Sequence, residues 1–401
     1  ALAAACLFAV MPVAVREAKY ATVDSTALFW CLLGLIAIVN LQKMGRLQDY
    51  VFVGLISGFA IGTKYPSLFL AVPFFLAHTM RALAHPSQRK IQILFGFPFI
   101  TALCLLVTFA VSTPYFFLEL PTVYENYLYQ SSWVKNGIPG TGAPLGWRWP
   151  LTYALPLAMG SILYLLSLCA VPLCFVTRRA AFKPQILVLS YICVLLWLYS
   201  TSKLVYIRYT LNFLPLLAIF IAQGLEWTSG KLSRFQVLFV ALLFCASLQA
   251  IVTSIQLSYL LSKGDTRDRV TLWLATHVPH GAKIYADAYF RYAKPRLKNN
   301  QEYHDYHSID WNTEETRWFL IDKHPVHYFQ SKIDDQMADI ITKRGKLMFD
   351  VNPMLSKCLN PEDFDLFDAF YLPLRKLECV MRPGPQLQIF KISGINSSGQ
   401  T

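Results

Sequence analysis

This chain has little charge: 15% of its 401 residues are Asp, Glu, Lys or Arg, against about 25% in an ordinary soluble domain. It shows no glycine-rich phosphate loop, no Ser-His-Asp order and no pair of catalytic acids. If it is an enzyme, a principal catalytic group is missing or hidden. It has no internal repeat. It opens on Ala1-Leu2-Ala3-Ala4-Ala5-Cys6 with no initiator Met, no basic n-region and no small-residue cleavage site, so it does not read as a signal peptide. The apolar run before Arg16 is shorter than the roughly 20 residues that cross a bilayer, and the expectation is a fragment that starts inside a helix, truncated at its N-terminus. Of nine cysteines, seven lie in apolar runs, where a thiol behaves as a small hydrophobe. Cys358 and Cys379 alone lie in polar sequence and are free to pair in an oxidising compartment. His277, His280, His304, His307, His324 and His327 have no ligand-like companions. Only His324 and His327 stand at i, i+3, so no metal or other cofactor is expected.

What is abundant is apolar: 55% of the residues are hydrophobic and 14% aromatic. That composition belongs to a polytopic α-helical membrane protein, here with about nine spans or half-spans followed by a small soluble α/β domain. The formal charge is +12. In a membrane protein this is first explained by loops anchored on the anionic cytoplasmic face. No basic run is interleaved with aromatics, so nucleic acid is not an expected partner.

Apolar runs cover Ser25 to Gln42, Tyr50 to Gly62, Pro66 to Met80, Ile91 to Thr113, Leu151 to Val176, Gln185 to Ser200, Leu211 to Leu225 and Phe235 to Leu261. Pro66 disfavours a helical Tyr65 and sets a boundary there. Pro114 to Pro150 reads as a long polar and aromatic connection. The basic groups Lys43/Arg46, Arg81/Arg89/Lys90, Arg178/Arg179/Lys183 and Lys231/Arg234 fall at alternate ends of the spans and are assigned to the cytoplasm. The outer face then collects the island Arg16 to Ser25, the 114–150 connection, the island Lys203 to Arg208 and everything after Leu261.

Two domains follow, 1–261 in the membrane and 262–401 outside it. In the second, Asp265 or Thr266 caps a helix running through Trp273 to His277, and Ile333 to Lys343 is a helix. Ala282 to Ala288, Trp318 to Ile321, Lys346 to Val351 and Leu387 to Ile392 read as strands.

Asp24 is the residue around which function is sought. A carboxylate at a membrane boundary is costly without water or a partner. It reads either as a group that pairs with Arg16 or Lys19, orients a substrate or supports a base, or as the N-cap of the span it precedes. Lys64 interrupts an apolar hairpin at its outer turn, as a snorkelling side chain or as a point charge for a lipid phosphate. Lys203 and Arg208 bracket an outer turn, and Arg208 opens a helix, where a cation has no dipole reason to be. Each is a headgroup anchor or a phosphate ligand. Glu119, Tyr124, Glu125, Tyr127, Tyr129, Trp133 and Trp147 in the long connection form an interfacial belt or a surface for a lipid or sugar.

Several stretches resemble the GT-C superfamily of polyprenyl-phosphate-sugar-dependent glycosyltransferases, in the branch of protein O-mannosyltransferases and lipid A aminoarabinose transferases. They are Lys19-Tyr20-Ala21-Thr22-Val23-Asp24-Ser25, Gly58 to Tyr65, Thr113-Pro114-Tyr115, and Arg208-Tyr209 with Pro215. In the tail they are Asp265-Thr266-Arg267 through Trp273 to Gly281, and Arg382-Pro383-Gly384-Pro385. The resemblance implies a GT-C-like helix bundle. It also implies inverting transfer from a polyprenyl-phosphate sugar to a lipid, glycan or protein acceptor on the outer face. The family's catalytic base is an acidic residue of the first outer loop, which is expected upstream of Ala1, and a chain without it is expected to be inactive. Asp24 matches the supporting acidic position, while Lys64, Tyr65, Lys203, Arg208 and Tyr209 are the substrate-binding residues it implies. The scheme demands no metal, although some GT-C relatives use one. The resemblance places the protein in a membrane, the bacterial inner membrane in the expected case, with the C-terminal domain extracytoplasmic. A transporter or flippase of a lipid-linked or small polar substrate is the rival reading; it would show repeated halves and midplane charges.

Overall fold

The computed structural model describes residues 1–20, 22–84, 95–137, 146–177, 182–230, 236–287, 294–306, 309, 316–324, 330–355, 358, 360, 363–364 and 372–392. The chain divides into two compact units, Ala1–Ser254 and Ile255–Thr401.

Among the described residues of the first unit every secondary-structure element is a helix or helical turn. Met11 precedes a proline and is extended (φ −70°, ψ 132°). The first apolar run is therefore two short helices, α1 (Leu2–Ala9) and α2 (Pro12–Lys19). The 22 residues of α3 (Val23–Met44) reach about 33 Å at 1.5 Å per residue, enough to cross the apolar core of a bilayer. Gly45 ends α3 in the left-handed region at φ 64°, and Arg81 donates to the freed Met44 carbonyl at 2.7 Å. The next helix, α4 (Leu47–Thr63), stops at Lys64, which is extended (φ −156°, ψ 120°). A 3-10 turn at Tyr65–Leu70, with Pro66 in its first turn, leads into α5 (Ala71–Leu83). The boundary expected at Pro66 is real and falls at Lys64.

Gly54, Gly58 and Gly62 form a stripe four residues apart on α4, facing α6 (Phe97–Ser112). A Cβ on Gly58 would lie 2.6 Å from the Leu105 carbonyl oxygen and 2.7 Å from Thr108 Cβ. Between apolar helices in lipid, such small residues permit the close backbone approach that packing requires.

Two expectations are corrected. The 114–150 connection contains α7 (Tyr115–Leu118) and the 17-residue α8 (Leu120–Asn136), none of whose residues is buried. The Leu151 to Val176 run is not one straight span. A π-helical turn at Trp149–Ala154 and α9 (Leu155–Met159) meet α10 (Ser161–Thr177) at a bend of 118°, with Gly160 between them at φ 89°. That backbone conformation is open to glycine and strained for other residues. The freed Ile162 amide donates to Gln249 Oε1 at 3.2 Å. The remaining helices are α11 (Phe182–Thr201), α12 (Leu214–Gly230) and α13 (Gln236–Leu261), with a 3-10 turn at Ile207–Asn212 before α12. Among the described residues four segments are long and apolar enough to cross a membrane: Val23–Met44, Tyr65–Leu83, Phe182–Thr201 and Leu243–His277. The bent pair is a fifth candidate, and Leu47–Thr63, Phe97–Ser112 and Leu214–Thr228 are shorter apolar helices. Arg89, Lys90, Arg178, Arg179, Lys231 and Arg234 lie outside the described residues.

The second unit carries a five-stranded mixed sheet in the order β2-β1-β3-β5-β4. Its strands are β1 (Lys283–Ala286), β2 (Glu302–Asp305), β3 (Arg317–Asp322), β4 (Gly345–Val351) and β5 (Leu387–Ile392). The central strand β3 runs parallel to β1 and antiparallel to β5 and is buried at every residue. Its alternation sends Trp318 and Leu320 to one face, with Val270 and Leu274 of α14 (Thr266–His277). Phe319 and Ile321 go to the other, with Met337 and Ile341 of α15 (Asp335–Arg344). Asp265 caps α14 by accepting from Arg267 N at 2.8 Å, as expected of it. The Thr266 amide donates to the Pro383 carbonyl at 3.1 Å, which brings the two tail motifs together. Cys358 and Cys379 form a disulfide, with Cα atoms 5.6 Å apart. Asp322, at the end of β3, is 1% exposed. The His324 amide bonds its Oδ1 at 2.8 Å, but burial prevails and pushes its pKa up to about 8. The strands and helices read from the sequence are all present; β2 is the addition.

Candidate functional site

The site forms where three chain reversals meet: the start of α3, the end of α4 and the 3-10 turn before α12. Asp24 is the second residue of α3 and is 5% exposed. It is not the N-cap, a position that Thr22 holds without a side-chain capping bond. Lys64 Nζ contacts Asp24 Oδ1, and Arg208 Nε lies 3.5 Å from Asp24 Oδ2. The sequence suggested Arg16 or Lys19 as partners of Asp24. Arg16 instead pairs with Glu17, Nε to Oε1 at 2.8 Å.

Aromatic rings complete the environment of the two cations. Lys64 Nζ stands 4.1 Å from the Tyr209 ring centroid, and Arg208 Cζ is 4.1 Å from that of Tyr206. The Tyr209 ring is itself 5.2 Å from Tyr199 and from Tyr206. A cation held over a ring in a partly dry setting gains about 1 to 2 kcal/mol, and both side chains keep some solvent access, 18% for Lys64 and 19% for Arg208. Asp24, Lys64 and Arg208 together carry a formal charge of +1 at the end of an apolar bundle.

The other two residues singled out from the sequence stand apart from this ion cluster. Tyr65 is 61% exposed, edge-on to Phe116 at 6.5 Å. Lys203 is exposed, and its amide donates to the Val134 carbonyl of α8 at 2.9 Å. The sequence reading missed Tyr206, and it did not single out Glu17, whose side chain is 0% exposed. Position within the charged island was the only signal for Glu17, since composition does not say which of neighbouring carboxylates is buried. Among the described residues no group of three or more His, Cys, Asp or Glu is placed to hold a metal ion. His327 lies outside the described residues.

Chemically, a buried carboxylate that braces two cations, each with an exposed edge, can receive a monoanionic phosphodiester. The chain matches no curated protein. Residues 1–115, the stretch that holds Asp24 and Lys64, match the family described as dolichyl-phosphate-mannose-protein mannosyltransferase.

Proposed function

We propose that this protein transfers a sugar from a polyprenyl-phosphate donor to an acceptor at the outer face of a membrane, with inversion at the sugar carbon. The observation that carries the reading is the Asp24, Lys64 and Arg208 cluster with its net charge of +1. A polyprenyl-phosphate sugar is a phosphodiester of charge −1, which would bring the cluster to neutrality. As the bond from sugar to phosphate oxygen breaks, the leaving phosphate gains a further negative charge. Lys64 and Arg208 meet that growing charge, and so stabilise the transition state more than the ground state. Asp24 has the supporting role of holding the two cations apart and aimed. A carboxylate takes the acceptor proton as the acceptor oxygen attacks from the face opposite the phosphate.

The basic loops assigned to the cytoplasm support an outer-face location for this cluster and an extracytoplasmic C-terminal unit. The Cys358–Cys379 disulfide supports the same placement, because such bonds persist in oxidising compartments. We place the protein in a bacterial inner membrane, with a lipid, glycan or protein as acceptor.

The test is transfer of radiolabelled sugar from a panel of polyprenyl-phosphate donors by the full-length protein, beside Asp24→Asn and Arg208→Ala. The expected result is transfer by the wild type and at least a tenfold loss in each variant, about 1.4 kcal/mol of transition-state stabilisation. Consumption of no donor, with lipid-linked substrate instead crossing the bilayer, would replace this reading by a transporter.

A further inference from the structure

The proposed chemistry leaves one buried ion pair without a part. Arg16 and Glu17 are each 1% exposed, on the last turns of α2. Both carboxylate oxygens of Glu17 are engaged, Oε1 by Arg16 Nε at 2.8 Å and Oε2 by the Thr22 hydroxyl at 2.9 Å. The main-chain carbonyl of Glu17 accepts a third hydrogen bond, from the Ser25 hydroxyl at 3.2 Å. Thr22 and Ser25 flank Asp24, two residues before it and one after.

The direction of these bonds is informative. A threonine at the N-cap ordinarily turns its oxygen to a free amide of the helix, yet Thr22 makes no such bond and donates to Glu17. The first turn of α3 is thus tied to a neighbouring helix on both sides of Asp24. Helix ends fray when left to themselves, and a misplacement of about 1 Å at a reacting centre can cost about a hundredfold in rate. A buried ion pair gives little net stability over an apolar pair of the same volume. What it gives here is a fixed anchor for two hydroxyls.

We propose that Glu17 is a positioning residue for this site. Held by Arg16, it fixes the first turn of α3 through Thr22 and Ser25, so that Asp24 faces Lys64 and Arg208. In its rate readout the inference rests on the glycosyltransferase reading. A second readout does not.

The tie is best cut at the hydroxyl, since replacing Glu17 would take the carboxylate from a buried guanidinium. Thr22→Val is nearly isosteric and loses the donor; Thr22→Ser loses a methyl and keeps it. With dolichyl-phosphate mannose as the probe, the full-length protein in nanodiscs is expected to lose at least fivefold in kcat on Thr22→Val, with Thr22→Ser restoring most of the rate. In an Asp24→Asn background Thr22→Val should cost less than twofold more, because there is no aimed carboxylate left to misplace. A role confined to folding would multiply the two losses. Thermal unfolding midpoints of the same four proteins repeat the cycle without activity, and shifts that fail to add support the tie.

Active wild type with an unaffected Thr22→Val, or with losses that multiply, overturns the inference and leaves the proposed function standing. A wild type that transfers nothing defeats the functional reading for this donor, and the midpoints then decide alone: additive shifts overturn the role of Glu17, and non-additive shifts support it.

Discussion

Arg208 and Lys64 meet different oxygens of Asp24: Arg208 Nε is 3.5 Å from Oδ2, while Lys64 meets Oδ1. One carboxylate thus separates two cations that would otherwise repel. Each of these cations also has its own tyrosine, Tyr206 for Arg208 and Tyr209 for Lys64. Removing one member therefore changes the pose of the others.

Lys64→Met keeps an apolar stem in the hairpin and deletes the charge. Donor-dependent transfer is expected to fall at least tenfold, about 1.4 kcal/mol, with Lys64→Arg recovering part of it. Initial rates in membranes adjusted to equal protein content make the comparison, and a rate within twofold of wild type removes Lys64 from the site.

Much of this cluster was legible as parts. Asp24, Lys64 and Arg208 each stand out as a charge in an apolar surround. A sequence does not state which charges meet, so the sequence offered Arg16 or Lys19 where the fold supplies Lys64 and Arg208. Apolar runs with clear bounds were read well, as in β3, whose Trp318 to Ile321 is apolar without a break and buried throughout. The misses have local causes. β2 is a four-residue polar strand, Glu-Tyr-His-Asp, without alternation. Tyr, Ser and Asn make up seven of the 17 residues of α8 and lower its helix propensity. In the Leu151 to Val176 run apolarity continues through Gly160, whose backbone angle no hydropathy profile reports.

Gly58→Ala is expected to destabilise the first unit by about 1 to 3 kcal/mol, the range for overpacking. The added methyl would meet backbone of α6 at Leu105, which cannot rotate away. Gly96→Ala is the control, because nothing lies within 4 Å of a Cβ there. Thermal midpoints of the two variants in one detergent read the difference, and equal midpoints refute the close-approach account.

Asp322 makes the second unit pH-sensitive. Its folded pKa, about 8, lies above the ordinary value of 3.8, so the folded state holds a proton that the unfolded chain releases. Stability from this group is complete below about pH 4 and declines as pH rises towards 8, by about 1.4 kcal/mol per pH unit at most. Tryptophan fluorescence unfolding at pH 5 and pH 8 should show the decline. Asp322→Asn, which mimics the protonated acid, should flatten it.

Opening the Cys358–Cys379 bond frees a loop with a sequence separation of 21. Chain entropy sets the expected loss at about 3 kcal/mol. Dithiothreitol should lower the unfolding midpoint of the wild type and leave that of Cys358→Ser/Cys379→Ser unchanged. Equal effects on both would place the loss elsewhere.

The bend at Gly160 bears on how the protein is made. It frees an amide at Ile162, and the acceptor is Gln249, 87 residues later in α13. A ribosome releases α10 well before α13 exists, so the turn at the bend must wait in the membrane with a polar group unanswered, or be shielded by the insertion machinery. The first unit therefore gains this hydrogen bond only when its final helix arrives. Gln249→Leu makes α13 more apolar, yet it removes the acceptor of the Ile162 amide, and its cost should fall on biogenesis, as a shorter-lived nascent chain.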